Sequence, residues 1–253
     1  KLVRDISTGC AEIILSSREL SPTHYVDGIV AFLSAKWGGN VYYHWMFDVV
    51  IRIDLLCRSG WTSKIDKFVF SKCDKKFHQE TLEALKIPQE KIIESRFIPH
   101  IKAKKLVVPS FTIKQGGTRS PKWGCEFIRN LFLNSENICQ ISDQSKGIFI
   151  SRKLTSWRRV VNEDEVVSLL EKFGFISLTL ESFSVTEQAA LMSKVRAVIA
   201  PHGAGLTNLV FCSPGTKVIE IFSPNYINII NWHIRSLCHL SHYYLIGENF
   251  END

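Results

Sequence analysis

Several kinds of pattern are missing from this sequence, and each absence excludes a class of protein. No apolar stretch approaches the roughly 18 residues that a membrane-spanning helix needs. No long run of basic residues is present, which disfavours a nucleic-acid partner. No Cys-x-x-Cys pair or zinc-spaced Cys/His set occurs, so the cysteines favour reduced thiols in a cytosolic environment. These absences together predict a cytoplasmic protein with no membrane span and no nucleic-acid partner.

What is present is an ordinary globular composition with a small positive charge. Of the 253 residues, 45% are hydrophobic and 22% are charged, which excludes a disordered tail and a collagen-like rod. The net charge of +6 favours anionic ligands. The length predicts two compact units of about 100–150 residues each. Segment 114–121 (KQGGTRSP) has the composition of a linker, so we predict an N-terminal domain over 1–120 and a C-terminal domain over 121–253.

Short apolar runs alternate with helical patterns, which predicts an α/β fold with parallel sheets. Strands are predicted at 28–34, 67–70, 105–108, 147–150, 175–180, 195–200 and 217–222. Helices are predicted at 42–57, 77–85, 123–133, 162–172 and 184–193. The last two helices open with capping boxes, formed by Asn162 with Glu165 and by Ser184 with Glu187. The aromatic-rich stretch 226–245 is expected to pack in the core.

A glycine-containing loop follows the strand predicted at 195–200. Its sequence, PHGAGLTN, occupies 201–208 and precedes a segment that looks helical. Glycines let a backbone turn sharply and approach a ligand, and the N–H groups at a helix start favour a phosphate. The loop therefore predicts a phosphate site, with a tight strand-to-helix turn as the structural alternative. The candidate contact residues are His202, Gly203, Ala204, Gly205, Thr207 and Asn208.

The same loop can be compared with the Gly-x-Gly-x-x-Gly fingerprint of dinucleotide-binding proteins. Asn208 stands where the third glycine is expected, which weakens the interpretation as a nicotinamide or flavin site. Glu220, at the end of the next predicted strand, could accept hydrogen bonds from the hydroxyls of a nucleotide ribose. Pairing with a neighbouring lysine explains this carboxylate equally well.

Basic side chains follow another predicted strand in the same half of the chain. Arg152 and Arg158 lie in the loop 151–159, directly after the strand predicted at 147–150. Guanidinium groups bind phosphate oxygens bidentately, so two arginines beside a helix start could neutralise a diphosphate. A solvated basic loop is the structural alternative. The arginines and the glycine-containing loop follow neighbouring predicted strands, which favours a binding site over a solvated loop.

A polar stripe interrupts the otherwise apolar helix predicted at 42–57. His44, Asp48 and Arg52 are spaced four residues apart and therefore share one helix face. A histidine in the first turn suits a general base near neutral pH. An ion pair between Asp48 and Arg52 is the structural alternative, and these residues alone favour it over catalysis.

Together these segments resemble glycosyltransferase family 61, which includes plant xylan arabinosyl- and xylosyltransferases, extracellular O-GlcNAc transferases of animals and many bacterial members. The resemblance runs in order from about residue 25 to about residue 225. It rests on 40–48 (NVYYHWMFD), Ile-Ser-Arg at 150–152 with Arg158 and 162–163, Glu-Gln at 187–188, the loop 201–208 and Val-Ile-Glu-Ile at 218–221. The loop 201–208 is the most specific of these segments.

The resemblance implies a GT-B-like fold of two facing Rossmann-like domains and inverting transfer of a sugar from a nucleotide-sugar, with UDP as the expected nucleotide. The C-terminal domain would hold the donor through Arg152, Arg158, the loop 202–208 and Glu220. The N-terminal domain would supply the acceptor side, with Asp48 or His44 as the base. The family often has a glutamate where this chain has the shorter Asp48, so the choice between the two bases stays open.

The resemblance also implies partners and cofactors. The expected partners are the nucleotide-sugar donor and a glycan or glycoprotein acceptor, in the cytoplasm of a bacterium, with membrane association through a partner left open. No Asp-x-Asp sequence occurs, so we expect no metal ligands and no required cofactor, although metal dependence varies in the family. Two other functions stay open: an NAD(P)-dependent oxidoreductase, and a non-catalytic module that binds a nucleotide or a glycan.

Overall fold

The computed structural model describes residues 21–112, 120–133 and 147–248. The chain divides into two compact units, Lys1–Thr118 and Arg119–Asp253. The predicted linker at 114–121 lies largely outside the described residues. Each unit contains one parallel sheet whose strands alternate with helices, which confirms the predicted α/β class. Within the described ranges, every helix is too short or too polar to cross a membrane.

The N-terminal unit is built on a four-stranded sheet with the order β3-β2-β1-β4, in which all neighbouring pairs are parallel. Its strands are β1 (His24–Phe32), β2 (Lys67–Phe70), β3 (Ile92–Glu94) and β4 (Ile101–Val107). β1 and β4 begin earlier than predicted because their first residues, His24 and Ile101, pair with each other. Val30 and Ala31 in β1 are completely buried, as is usual for a central strand of a parallel sheet.

The long helix α1 follows β1 and confirms the helix predicted at 42–57. Its parts are an α-helical turn (Tyr42–His44), a π-helical segment (Trp45–Val50) and an α-helical end (Ile51–Arg58). Trp45 is fully buried, and its indole N–H donates to Thr81 Oγ1 at 2.7 Å in helix α2 (Lys76–Ala84). Burying a large apolar side chain contributes about 1.5–3 kcal/mol. This contact fixes α1 against α2.

The C-terminal unit is built on a five-stranded parallel sheet with the order β6-β5-β7-β8-β9. Its strands are β5 (Gly147–Ile150), β6 (Phe175–Leu178), β7 (Ala197–Pro201), β8 (Lys217–Phe222) and β9 (Ser241–Ile246). The first four confirm predicted strands. The prediction for the aromatic-rich stretch is wrong at β9, because Tyr243 and Tyr244 are exposed on the last strand of the sheet instead of packing in the core.

The helices of the C-terminal unit are α3 (Lys122–Leu133), α4 (Glu163–Glu171), α5 (Val185–Lys194) and α6 (Ile230–Leu237), with a 3-10 helix at Ala204–Phe211. The capping box predicted at α5 is confirmed: Ser184 Oγ accepts from the N–H of Glu187 at 3.2 Å, and Glu187 Oε2 accepts from the N–H of Ser184 at 2.7 Å. The box predicted at α4 is wrong. There the Asn162 amide donates to the Glu165 side chain at 3.2 Å, and it does not cap the backbone.

Neighbouring strand ends bring two of the predicted loops together. β5 lies beside β7 and runs in the same direction, so the loops after both strands emerge at the same edge of the sheet. Arg152 follows β5, and His202 follows β7. This edge is where the candidate site of the C-terminal unit is built.

Candidate functional site

Arg152 and Gly203 lie against each other beyond the ends of β5 and β7. A Cβ atom on Gly203 would collide with the guanidinium of Arg152. That guanidinium is held by its Nε and Nη2 groups, which donate to the main-chain oxygen of Trp157 at 3.2 and 3.0 Å. Gly203 has an extended backbone with φ 177°. Glycine is therefore needed at this position for the close approach of Arg152, and not for its backbone angle.

Arg158 combines an unusual backbone with an incompletely paired side chain. Its φ of +54° lies in the left-handed region, which is uncommon for residues other than glycine. Its guanidinium carbon lies 4.8 Å from the centre of the Tyr226 ring, a cation–π contact. Its Nε is buried and has no hydrogen-bond partner among the described residues. Backbone strain and an unpaired buried donor are both typical of a ligand site.

The two guanidinium groups influence each other electrostatically. Burial lowers the pKa of Arg152, the positive charge of Arg158 lowers it further, and the carboxylate of Glu181 opposes this shift. Two cations repel each other, and an anion bound by both would relieve the repulsion. A diphosphate suits such a pair because each guanidinium offers two parallel donors to phosphate oxygens.

The loop that carries Arg152 is anchored by a buried carboxylate. Ser151 Oγ donates to Glu163 Oε1 at 2.5 Å, and the N–H of Lys153 donates to Ser151 Oγ at 3.2 Å. Ser151 and Glu163 are both buried. Glu163 lies within the segments that carry the family resemblance, but spacing alone predicts no role for it. Its contact with Ser151 fixes the start of the arginine loop.

His202 belongs to a buried group of four polar side chains, which we call the Glu220 cluster: His202, Glu220, Asn231 and His242. His202 is 5% exposed, and its Nδ1 lies 2.5 Å from Glu220 Oε1. Asn231 Nδ2 donates to the same oxygen at 2.6 Å, and His242 Nε2 lies 2.9 Å from Glu220 Oε2. Both carboxylate oxygens are therefore engaged inside the protein.

The buried position of Glu220 changes its predicted role. The sequence predicts that Glu220 binds a ribose directly or pairs with a lysine, whereas the carboxylate is fully buried among two histidines and an asparagine. Burial alone would raise the pKa of Glu220, but hydrogen bonds from His202, His242 and Asn231 outweigh burial, so the pKa lies below its ordinary value. Glu220 is therefore a buried anion whose contacts are internal.

Sequence reasoning missed Asn231 and His242. Asn231 lies in α6 and is 1% exposed, and His242 lies in β9. No local pattern marks either residue. The only available signal is topological: β9 pairs with β8 so that His242 lies beside Val218, two residues before Glu220. Recognising 241–246 as a strand would have been needed to find this contact.

Thr207 and Asn208 are predicted to bind a ligand, but both lie inside the protein. They are 1% and 0% exposed. Asn208 Nδ2 donates to Gln188 Oε1 at 2.7 Å, and Gln188 Nε2 donates to the main-chain oxygens of Leu180 and Phe183 at 3.0 and 3.1 Å. Asn208 therefore joins the 3-10 helix to α5. Neither side chain is exposed in this conformation, and direct contact of Thr207 or Asn208 with a ligand stays a prediction.

Ala204 and Gly205 are the first residues of the 3-10 helix and are half-buried. A Cβ on Gly205 would meet side-chain atoms of Ile150 and Leu180 at 3.5 Å, which is ordinary contact. A side chain at position 205 would therefore fit, so steric reasons alone do not require Gly205. Ala204 and Gly205 stay candidates through their backbone N–H groups, which lie at a helix start.

His44 and Asp48 form a hydrogen-bonded pair in the N-terminal unit. His44 Nδ1 lies 2.6 Å from Asp48 Oδ2, and the two side chains are 24% and 11% exposed. An ionised carboxylate only accepts hydrogen bonds, so Nδ1 of His44 carries the proton and Nε2 of the neutral ring keeps its lone pair. A histidine oriented by a carboxylate is the usual arrangement of a general base.

Arg52 is 1% exposed and does not continue the polar stripe as an exposed side chain. Its guanidinium donates to the main-chain oxygens of Phe32 and Leu33 at 3.1 Å and of Pro109 at 2.8 Å. The ring of Phe111 lies 4.2 Å from its guanidinium carbon. Arg52 therefore joins the end of β1 to the segment after β4, and it leaves His44 and Asp48 as the candidate catalytic pair.

The sequence is similar to a known protein family over most of its length. A model of the family described as Glycosyltransferase 61 matches residues 42–219, more than half of the chain. This range includes His44, Arg152 and the loop after β7. In the described part of the chain, no group of three or more His, Cys, Asp or Glu side chains has an arrangement that could hold a metal ion.

Curated relatives match shorter stretches. The chain is 33% identical over 78 residues to the EGF domain-specific O-linked N-acetylglucosamine transferase of Drosophila melanogaster, covering 30% of this chain and 15% of that protein. It is 34% and 36% identical over 87 and 81 residues to the beta-1,2-xylosyltransferases RCN11 and XYXT1 of Oryza sativa subsp. japonica, covering 29% and 32% of this chain. The match spans only 16% and 17% of those two proteins. The length of the family match shows that the chain belongs to glycosyltransferase family 61.

Proposed function

We propose that this chain transfers a sugar from a nucleotide-sugar, most simply a UDP-sugar, to a hydroxyl group of a glycan or glycoprotein acceptor, with inversion at the anomeric carbon. One observation carries the proposal: in a chain of this family, the Arg152 guanidinium lies against Gly203 at the ends of two neighbouring parallel strands, and the positive charge of Arg158 acts on it. The names of the relatives, which describe transfer of N-acetylglucosamine or xylose, support a sugar as the transferred group.

The donor diphosphate is bound by Arg152, Arg158 and the N–H groups at the start of the 3-10 helix. In a single displacement, the acceptor oxygen forms a bond to the anomeric carbon while the bond to the diphosphate oxygen breaks. The electron pair of the broken bond leaves with the nucleoside diphosphate, and negative charge develops there. Stabilising this charge is the main task of the arginines, and each well-placed donor is worth about 3–4 kcal/mol in a closed site. The arginine pair supplies positive charge, so we propose that no divalent metal is required.

His44 acts as the general base in this proposal. Its Nε2 takes the proton of the acceptor hydroxyl, and Asp48 keeps Nδ1 protonated and stabilises the resulting imidazolium. The greater exposure of His44 supports this choice over Asp48, as does the lone pair that the neutral ring keeps on Nε2. The GT-B-like arrangement of the two units, which such a reaction between them requires, is part of the proposal.

Melting temperatures with UDP, GDP, CMP, NAD and NADP, each with and without manganese, test the proposal directly. A ligand at a hundred times its dissociation constant stabilises by about 2.7 kcal/mol. We expect a shift with UDP that does not need manganese and that is lost in Arg152→Ala. The exposed neighbour of Arg158 gives the matched control, and Arg159→Ala should keep the shift.

The other outcomes decide between the alternative functions. A shift with NAD or NADP alone would contradict the transferase and favour an oxidoreductase. A UDP shift without release of UDP from UDP-sugars in the presence of glycan acceptors would favour a non-catalytic nucleotide-binding module. A UDP shift that appears only with manganese would contradict the metal-independent donor site.

A further inference from the structure

The Glu220 cluster joins four separate elements of the C-terminal unit at one buried carboxylate. His202 follows β7, Glu220 lies in β8, Asn231 in α6 and His242 in β9. Glu220 has no exposed surface, and both of its oxygens lie within 2.9 Å of donors from the other three residues. Asn231 and His242 lie beyond the range matched by the family model. A buried charge with this many partners needs an explanation, because removing a charge from water is costly unless its hydrogen bonds are replaced.

We propose that Asn231 and His242 are positioning residues, which act through Glu220 to hold His202 with its proton on Nδ1 and with Nε2 as the ring nitrogen left for a ligand. The proposal rests on the proposed function, in which the loop after β7 contacts the donor. Neither Asn231 nor His242 touches the donor. The effect of His242 passes through the carboxylate, whereas Asn231 also contacts His202 directly, with its Nδ2 3.4 Å from His202 Nδ1.

The chemistry of the carboxylate fixes the proton positions. An ionised carboxylate accepts hydrogen bonds and cannot donate them, so the nitrogen that faces it must carry a proton. This places protons on His202 Nδ1 and His242 Nε2. Asn231 shares Oε1 with His202, whereas His242 is the partner of Oε2. Without His242, Oε2 of the buried carboxylate loses its hydrogen-bond donor. Rotation of the carboxylate or uptake of a proton would then lower its free energy. Either change removes the constraint on His202.

Ring contacts connect His202 to Arg158 in the loop 151–159. The imidazole stacks on Phe222, with ring centres 5.2 Å apart and planes at 26°, and lies 5.4 Å from the Tyr226 ring. Tyr226 in turn lies under the Arg158 guanidinium at 4.8 Å. A change in the orientation of His202 therefore affects Tyr226 by direct contact, and affects Arg158 through Tyr226. This connection predicts that loss of His242 weakens diphosphate binding although His242 does not touch the ligand.

Nitrogen chemical shifts of the histidine rings in the intact chain, labelled with ¹⁵N-histidine, test the proton positions without a ligand. The His202 signals are assigned by their loss in His202→Gln. We expect Nδ1 of His202 to carry a proton, because it faces the carboxylate of Glu220. A neutral ring protonated at Nε2 in the wild-type chain would overturn the proposal.

Substitutions at His242 test the positioning effect. Glutamine can place an N–H donor near the position of His Nε2, whereas leucine cannot. We expect UDP binding by His242→Gln to stay within about threefold of wild type, and binding by His242→Leu to weaken about tenfold or more, with His202 losing its fixed tautomer. Tyr243→Leu, which removes an exposed ring from the next position of the same strand, is the matched control. If His242→Leu does not fold, Asn231→Leu tests the same carboxylate.

The two readouts separate this inference from the proposed function. If the wild-type chain does not bind UDP but His242→Leu frees the His202 tautomer, the positioning effect stands and the donor assignment fails. If His242→Leu is folded and keeps both the His202 tautomer and the UDP affinity of the wild type, the positioning proposal fails. Equal loss of UDP binding in the glutamine and leucine variants with unchanged His202 signals would also overturn it.

Discussion

The guanidinium of Arg152 fills the space that a side chain on Gly203 would occupy. The two residues follow neighbouring parallel strands and lie far apart in sequence, yet each constrains the other. Gly203 has an extended backbone that any residue could adopt, so the requirement for glycine comes entirely from Arg152. Arg152 can therefore occupy its position only because residue 203 has no side chain.

A methyl group at position 203 should therefore impair ligand binding more than folding. The atoms it would meet belong to the flexible end of Arg152, so the guanidinium can move away and the fold can be kept. We expect Gly203→Ala to weaken UDP binding about tenfold, or about 1.4 kcal/mol, with little change in melting temperature. Titration calorimetry with UDP measures the affinity.

A double substitution provides the control for this prediction. In an Arg152→Ala background the collision is gone, so Gly203→Ala should cost almost nothing more, and the two effects should not add. Additive losses in the double variant would mean that Gly203 contributes independently of Arg152, for example by direct contact with the ligand.

Substitutions of Arg158 should separate stability from binding. Both Arg158→Ala and Arg158→Gly remove the guanidinium, so both should weaken UDP binding more than tenfold and lower turnover by orders of magnitude. The left-handed backbone at this position costs a residue with a side chain about 1 kcal/mol relative to glycine. Arg158→Gly should therefore melt about 2–4 °C above Arg158→Ala. Unchanged UDP affinity in either variant would remove Arg158 from the donor site.

Loss of the proposed base should reduce turnover and leave donor binding intact. His44→Ala removes the proton acceptor, and we expect turnover to fall by about 10²–10⁴-fold. Asp48→Asn should have a similar effect because an amide can donate to Nδ1 and so favour the wrong tautomer. UDP release from the UDP-sugar in the presence of acceptor measures turnover, and the UDP-induced melting shift should persist.

A carboxylate elsewhere on the same helix controls for this experiment. Asp54 pairs with Arg58 at 2.7 Å at the end of α1. Asp54→Asn should keep wild-type turnover per folded molecule. An equal loss of turnover per folded molecule in Asp54→Asn would mean that removing any carboxylate of α1 lowers turnover, and the assignment of His44 as the base would lose its support.

The buried Glu220 should make stability depend on pH in the acid range. Its pKa is lower in the folded protein than its ordinary value, so its stabilising effect is fully present above about pH 4.5 and is lost as the pH falls through the lower folded value. At neutral pH, Glu220→Gln should cost about 1.5–3 kcal/mol because a charged hydrogen-bond acceptor is lost. The gap in melting temperature between the variant and the wild type should shrink below pH 4.5.

The exposed Glu171 at the end of α4 is the matched control for this measurement. Glu171→Gln should change the melting temperature little across the same pH range. A constant gap between Glu220→Gln and the wild type from neutral to acid pH would mean that Glu220 is not ionised in the folded protein.

Much of the fold follows from the sequence, for identifiable reasons. β2 and β8 have the predicted bounds because each is a short run of β-forming residues with turn residues on either side. The π-helical turn in α1 could not be predicted, because Asp48 is the only polar residue of Trp45–Val50 and such a run carries no helical period to measure. β9 was missed because its residues, apart from His242, are exposed and show no alternation of buried and exposed positions.

The site could be predicted in part. The meeting of the loops that carry Arg152 and Gly203 follows from the rule that carboxyl ends of neighbouring parallel strands share an edge. The burial of Glu220 was also available in principle, because Val218, Glu220 and Phe222 alternate along β8 and share the buried face. The burial of Asn208 could not be predicted from the sequence, because it depends on a hydrogen bond to Gln188 in another helix.

The place of β9 at the margin of its sheet gives the Glu220 cluster an additional property. Central strands exchange their amide protons only through global unfolding, whereas terminal strands open locally at much lower free energy. His242 lies on such a terminal strand and is the hydrogen-bond partner of Glu220 Oε2 in the protein interior. Each transient detachment of β9 would admit water to Glu220 and release the ring of His202. Local opening of β9 would therefore disturb the Glu220 cluster without unfolding the rest of the sheet.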